Sequence, residues 1–218
     1  MTRYILLTAV SAFTYVNCCQ AQQDYQQTLR NTFLAYDTTQ NMETKVAQSN
    51  KLGMIAKKWN NEWTAHYYNA YAKAQLSYME KDEAKRDAYV DEAEKELDET
   101  IGLVKENDET HVLGAMIANA RMAVKPQARW QKYGKVFSDN LEKAKEINPK
   151  NPRIYYLQGT SKFFTPKMFG GGKKAALPYF EKAAEYYAQE SDADMAKPFW
   201  GKIPTQYFLK ESKGEDKD

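Results

Sequence analysis

Cysteine is almost missing from this chain: Cys18 and Cys19 are adjacent and lie within the first twenty positions. They supply no disulfide framework, so stability has to come from a packed core. Histidine is as scarce, at His66 and His111, which leaves little for a nitrogen-ligated metal centre. Proline and glycine are sparse between residues 24 and 165, and few runs alternate with period two. Sheet architectures are thereby excluded, and helix is predicted throughout. An excess of one charge is lacking too. The net charge is +2, with both signs interspersed as in KDEAKRDAYVDEAEKELDE. Without a sustained basic patch, nucleic acid is not an expected partner. No nucleophile–base pattern such as GxSxG occurs. No catalytic residue is assigned, and the chain is not expected to be an enzyme.

What is present begins with a leader. Arg3 gives a short positive start, Tyr4 to Val16 form an uncharged apolar run, and small residues follow at Cys19 and Ala21. That layout predicts a signal peptide over 1–21, cleaved near Ala21, and export to the periplasm or cell envelope. The run is shorter than the roughly 20 apolar residues of a membrane span. A lipoprotein version of the same scaffold, acylated at Cys18 or Cys19, would tie it to the outer membrane. Tyr15, Val16 and Asn17 depart from the usual residues before an acylated cysteine. The remaining chain forms one domain, 22–210, with a frayed tail over 211–218. A chain of that length buries about 70% of its unfolded surface.

Apolar residues recur at helical spacing. Tyr25, Leu29, Phe33 and Tyr36 share one face, as do Ala93, Leu97, Thr100, Ile101 and Val104. Three segments then align without gaps, starting at His66, His111 and Tyr155, which lie 45 and 44 residues apart. Each begins with a ring and carries a small residue at its fifth position, Ala70, Ala115 and Gly159. Before them runs a second motif with Leu52, Leu97 and Leu141 in one column and Ile55, Thr100 and Ala144 in another. Ala176, Phe180 and Ala183 repeat it once more.

A ring followed by a small residue on a first helix, then Ala, a bulky apolar residue and Ala on a second, then proline, resembles the tetratricopeptide repeat. The best copy is Phe137, Leu141, Ala144 and Pro149, leading into Tyr155 and Gly159. The resemblance implies an all-α, right-handed α-solenoid of about four antiparallel helix pairs over about 24–190. The segment Pro198-Phe199-Trp200-Gly201 would lead into a C-terminal capping helix, Lys202–Lys210. The repeat is longer than the family's, about 34 residues. The excess is expected as loops between the helices of a pair. The layout is similar to small secreted tetratricopeptide-like proteins of bacteria with RMxVxPxxRWQKYG and TPxxFGGG insertions, a group that implies no activity. The family's groove positions fall here on Tyr67 and Tyr71, on Val112, Met116 and Asn119, and on Arg153, Tyr156, Thr160, Phe163 and Phe164.

TPKMFGGGKKA, residues 165–175, invites a phosphate-loop reading. A Walker loop needs GxxxxGK followed by Ser or Thr between a strand and a helix. Here Gly172-Lys173 is followed by Lys174, Lys167 stands where the first glycine should be, and a helix precedes the loop. The glycines are read instead as a connection with unusual backbone angles. His66 and His111 are read as rings packed between helices, with no shared metal and no cofactor. The acidic run from Asp91 to Glu99 is read as a solvated helix face.

Two functions follow as expectations. The preferred one is an exported, non-catalytic scaffold whose concave groove binds a protein or peptide through Tyr67, Tyr71, Met116, Asn119, Arg153, Tyr156 and Phe163. The alternative is a helical protein holding a small ligand in a pocket covered by the 123–133 and 165–173 insertions.

Overall fold

The computed structural model describes residues 22–191 and 197–214. The predicted signal peptide 1–21 with both cysteines, and residues 215–218 of the predicted tail, lie outside the described residues. Those described fold into nine α helices and one 3-10 turn, with no strand among them. They are α1 (22–38), α2 (Met42–Lys58), α3 (Trp63–Met79), α4 (Glu83–Val104), α5 (Asp108–Val124), α6 (Pro126–Ile147), α7 (Pro152–Phe164), α8 (Lys173–Tyr187) and α9 (Lys202–Lys213). The 3-10 turn, Lys167–Phe169, sits between α7 and α8.

Helix starts are written in the sequence. Asn41, Asp82 and Asn107 each accept a backbone N–H from three residues on, satisfying donors that a first turn leaves open. Thr110 returns the favour to Asn107 and completes a capping box. Pro126 and Pro152 occupy first-turn positions, where a missing N–H costs nothing. α9 runs to Lys213 with Ser212 buried, three residues past the boundary drawn at 210.

Most of the predicted columns are core, while Leu97, Ile101 and Val104 of α4 are half-buried. Tyr25, Leu29, Phe33 and Tyr36 of α1 are all buried, as are Leu52, Leu141 and Phe180. Ile55, Thr100, Ala144 and Ala183 are buried beside them. Small residues set helix spacing: a β-carbon on Gly159 would come within 2.6 Å of the Phe180 ring. α3 packs on α4, α5 on α6 and α7 on α8, while α3 also meets α5 and α5 meets α7. α1 joins this row through Phe33 against Tyr68 and Tyr71.

The long repeat has a different cause from the one expected. Only residues 80–82 link α3 to α4, and only Lys125 links α5 to α6. The excess residues instead lengthen α4 and α6 to 22 residues each. Residues 126–133 are thus the first turns of α6, and no loop stands there. A true loop remains only between α7 and α8.

Both histidines serve their own helix pair. His66 Nδ1 lies 2.7 Å from Glu96 and Nε2 3.2 Å from the Asn60 carbonyl, while His111 Nδ1 meets Asn140 at 3.1 Å. No group of three or more His, Cys, Asp or Glu among the described residues is placed to hold a metal ion. The hydrogen bond that His66 donates to the Glu96 carboxylate holds the histidine's pKa above the usual value. A raised histidine pKa contributes stability that is full below about 6.5 and is lost as pH rises through the folded value. Thermal melts at pH 6 and pH 9 should therefore show a drop in wild type that His66→Gln lacks. Equal drops in both would refute the assignment.

Candidate functional site

The groove side of α3, α5 and α7 divides into two parts, one filled by the chain itself and one open. Filling begins where Lys197–Gly201 returns from the end of α8. Gly201 takes φ 101°, a left-handed angle, and a β-carbon there would strike the Tyr187 hydroxyl at 2.0 Å. This strap lays Phe199 and Trp200 across the first helices of the pairs. Phe199 N–H donates to the Tyr68 hydroxyl at 2.7 Å and Trp200 Nε1–H to the Tyr67 hydroxyl at 2.8 Å. Phe199 packs on Phe33 and Tyr68, and Trp200 on Tyr71 and Tyr156.

Arg153 pins the strap from beneath. It is 1% exposed and lies over the rings of Tyr187 and Trp200. It donates to Glu109 at 3.0 Å, to both oxygens of Glu190 at 2.9 and 3.1 Å, and to the Pro198 carbonyl. Tyr67 and Asn151 complete the shell of Glu109. Burial lifts Glu109 above the usual carboxylate range against the pull of Arg153. Burial works against the Arg153 charge as well, but Glu109, Tyr187 and Glu190 more than restore it.

The open part is a cavity of about 1300 Å³. Tyr78, Met116, Met122, Tyr156 and Phe208 form its inner wall, with Gln75 and Asn119 as amides among them. Trp130 of α6, Phe164 at the end of α7 and Phe169 of the 3-10 turn are its exposed lining rings. Phe164 and Phe169 are each 71% exposed. Large aromatic rings so uncovered around a concavity mark a place where something else is meant to pack. Both sequence-flagged insertions reach this cavity, the first through Ala123, Pro126, Gln127 and Trp130 and the second through Thr165, Pro166 and Phe169.

The seven groove residues therefore separate. Met116, Asn119 and Tyr156 line the cavity. Tyr67, Tyr71 and Arg153 are buried under the strap. Phe163 packs on Phe180 and Phe208 behind the cavity wall. Sequence reasoning missed Trp130, Phe169 and Phe208. A signal for the first two was available: an aromatic in each segment already singled out as an insertion.

The triple glycine makes its own hydrogen bonds. Gly170, Gly171 and Gly172 N–H groups donate to Lys167, Pro166 and Lys162 carbonyls at 2.9, 3.3 and 2.9 Å. None is left to wrap an anion. Gly170 and Gly172 take φ 77° and 99°, so their role is to turn the chain and hold Phe169 at the mouth.

No charged side chain lines the cavity itself. Residues 110–138, 147–180 and 197–210 supply every lining residue except Gln75 and Tyr78. These three segments hold fourteen Lys and Arg and no Asp or Glu. Arg121 and Arg129 are neutralised by Asp87 and its neighbours on α4, Arg153 by Glu109 and Glu190, and Lys125, Lys135 and Lys173 by Glu83, Asp139 and Glu211, but Lys162 and Lys174 make no ion pair among the described residues.

Among solved structures the chain is similar to the HusA haemophore from Porphyromonas gingivalis. Identity is 33%, the match covers 87% of this chain and 92% of that one, and the TM-score is 0.74. The chain belongs to the family of HusA. No protein-family model and no curated sequence matches it.

Proposed function

We propose that this protein carries a flat, mostly apolar ligand of the tetrapyrrole class, haem foremost, in the cavity lined by Trp130 and Phe164. The observation that carries this reading is the large aromatic-rimmed cavity in a chain one-third identical to a haemophore. Cavities for drug-sized ligands run to roughly 300–1,000 Å³, so this one admits a macrocycle. Trp130, Phe164 and Phe169 offer ring faces for stacking. The acid-free segments suit a ligand that carries carboxylates, with Lys162 as a candidate partner for them.

The lining contains no histidine, cysteine or lysine. Burial pushes the phenols of Tyr78 and Tyr156 up, which disfavours phenolate ligation at neutral pH. With the thioethers of Met116 and Met122 left in the lining as candidate ligands, recognition rests on the macrocycle more than on its iron. Titration of the mature chain with haem, followed by the Soret band, should saturate at micromolar concentration or below. Iron-free protoporphyrin should compete within a few-fold of haem. Absence of a saturable spectral change would sink the reading.

The same reading makes the protein a carrier with no catalytic step. It also takes the stacked pairs as a right-handed, tetratricopeptide-like solenoid, supported by the buried repeat columns, with a period about ten residues longer than usual. Export, through the leader at 1–21, fits a carrier that meets its ligand outside the cytoplasm. A peptide in the groove is the weaker alternative, because it would have to displace Phe199 and Trp200 from Tyr67, Tyr68 and Tyr71.

A further inference from the structure

The tip of the α7–α8 loop projects apolar side chains where no protein surface covers them. Met168 is 82% exposed, more than any other large apolar residue among those described, and Phe169 stands beside it on the same 3-10 turn. α9 adds a second exposed ridge. Ile203 and Tyr207 lie four residues apart on one helix face, with Lys210 a further turn along. The loop and α9 meet at the cavity, which Phe169 and Phe208 both line.

The face is net basic: Glu211, one turn after Tyr207, is the acid of α9 and lies 3.4 Å from Lys173. From Ile147 to Phe180, and again from Lys197 to Lys210, the chain has no acidic residue. Lys162, Lys174 and Lys210 make no ion pair among the described residues. A protruding apolar side chain flanked by unopposed ammonium groups suits a bilayer surface. The apolar tip enters the headgroup–acyl boundary while lysine stems lie along it, heads in water near lipid phosphate. A stable protein interface asks for something else, a complementary area of about 800 Å² on each partner, and a tip on three glycines is poor material for one.

We propose that this face docks the protein on an anionic lipid surface, with Met168 inserting and Lys174 and Lys210 neutralising lipid charge. The proposal does not depend on the haem reading, because the ligand-free protein suffices to test it. The mature chain should sediment with vesicles of phosphatidylcholine containing phosphatidylglycerol, not with phosphatidylcholine alone, and high salt should release it. Each ammonium near such a surface contributes about 1 kcal/mol, so Lys174→Gln with Lys210→Gln should lower partition about thirtyfold. Met168→Ser should lower it with the charge unchanged. All three positions are exposed, and unaltered far-UV ellipticity will show that the fold is kept. Equal partition of wild type and these variants would overturn the proposal. So would failure to bind either vesicle, the result expected if an acidic protein surface were the true partner.

Discussion

Replacing Arg153 with methionine is expected to remove about 3–5 kcal/mol of stability, because it strands a buried carboxylate without its cation. Arg153 touches Glu109, Glu190 and the Pro198 carbonyl, so the strap should loosen with it. Denaturant unfolding of the variant checks the loss, and Arg153→Met/Glu109→Gln should recover at least half of it. The deficit also has a pH sign. Glu109 already sits above the usual carboxylate range, and losing the guanidinium lifts it further. The folded variant then binds a proton more tightly than the unfolded chain between Glu109's unfolded and folded pKa values. Its stability must rise as pH falls into that interval from neutrality. A loss below about 1 kcal/mol at pH 7, within the ordinary range for an exposed pair, would mean that the network does not hold the strap.

Trp130→Ala combined with Phe164→Ala should weaken haem binding at least hundredfold while leaving the melting temperature nearly unchanged. Each ring resembles a binding hot spot worth about 2 kcal/mol, or roughly thirtyfold. Both side chains are largely exposed, so their removal takes little from the folded core. Affinity within about threefold of wild type would move the ligand out of this cavity. Tyr67 and Tyr71 cannot serve the same purpose: both are core residues, and truncating either would confuse binding with unfolding.

That contrast shows what the sequence made legible. Period and residue size revealed the helices and the columns Leu52, Leu141 and Phe180, because burial against a neighbouring helix repeats with the helical turn. The small position at Gly159 was readable for the same reason. The groove assignment followed from the same periodicity but stopped short at Tyr67, Tyr71 and Arg153. A spacing rule describes a helix and its neighbours; it is silent about a segment that returns from far along the chain. Phe199 and Trp200 meet Tyr68 and Tyr67 across 131 and 133 residues, with no motif to announce the contact. The cavity was half-legible. Its covering segments stood out as departures from the repeat, yet nothing local told that residues 126–133 would be helix and present Trp130 to the mouth. Phe208 lies in the capping helix, where the repeat no longer applies.

The strap has a consequence for how the molecule comes apart. Stacked helix pairs that touch only their neighbours can melt one pair at a time, from either end. Here the last residues of the sequence before α9 are bonded to the first pairs. α8 is tied to the same segment through the Tyr187 hydroxyl, which donates to the Trp200 carbonyl at 3.1 Å. Opening one end exposes core belonging to the other, so the row behaves as a closed circuit. Loss of order becomes a single transition. The strap contacts span 131 and 133 residues, and pairings that distant in sequence slow folding.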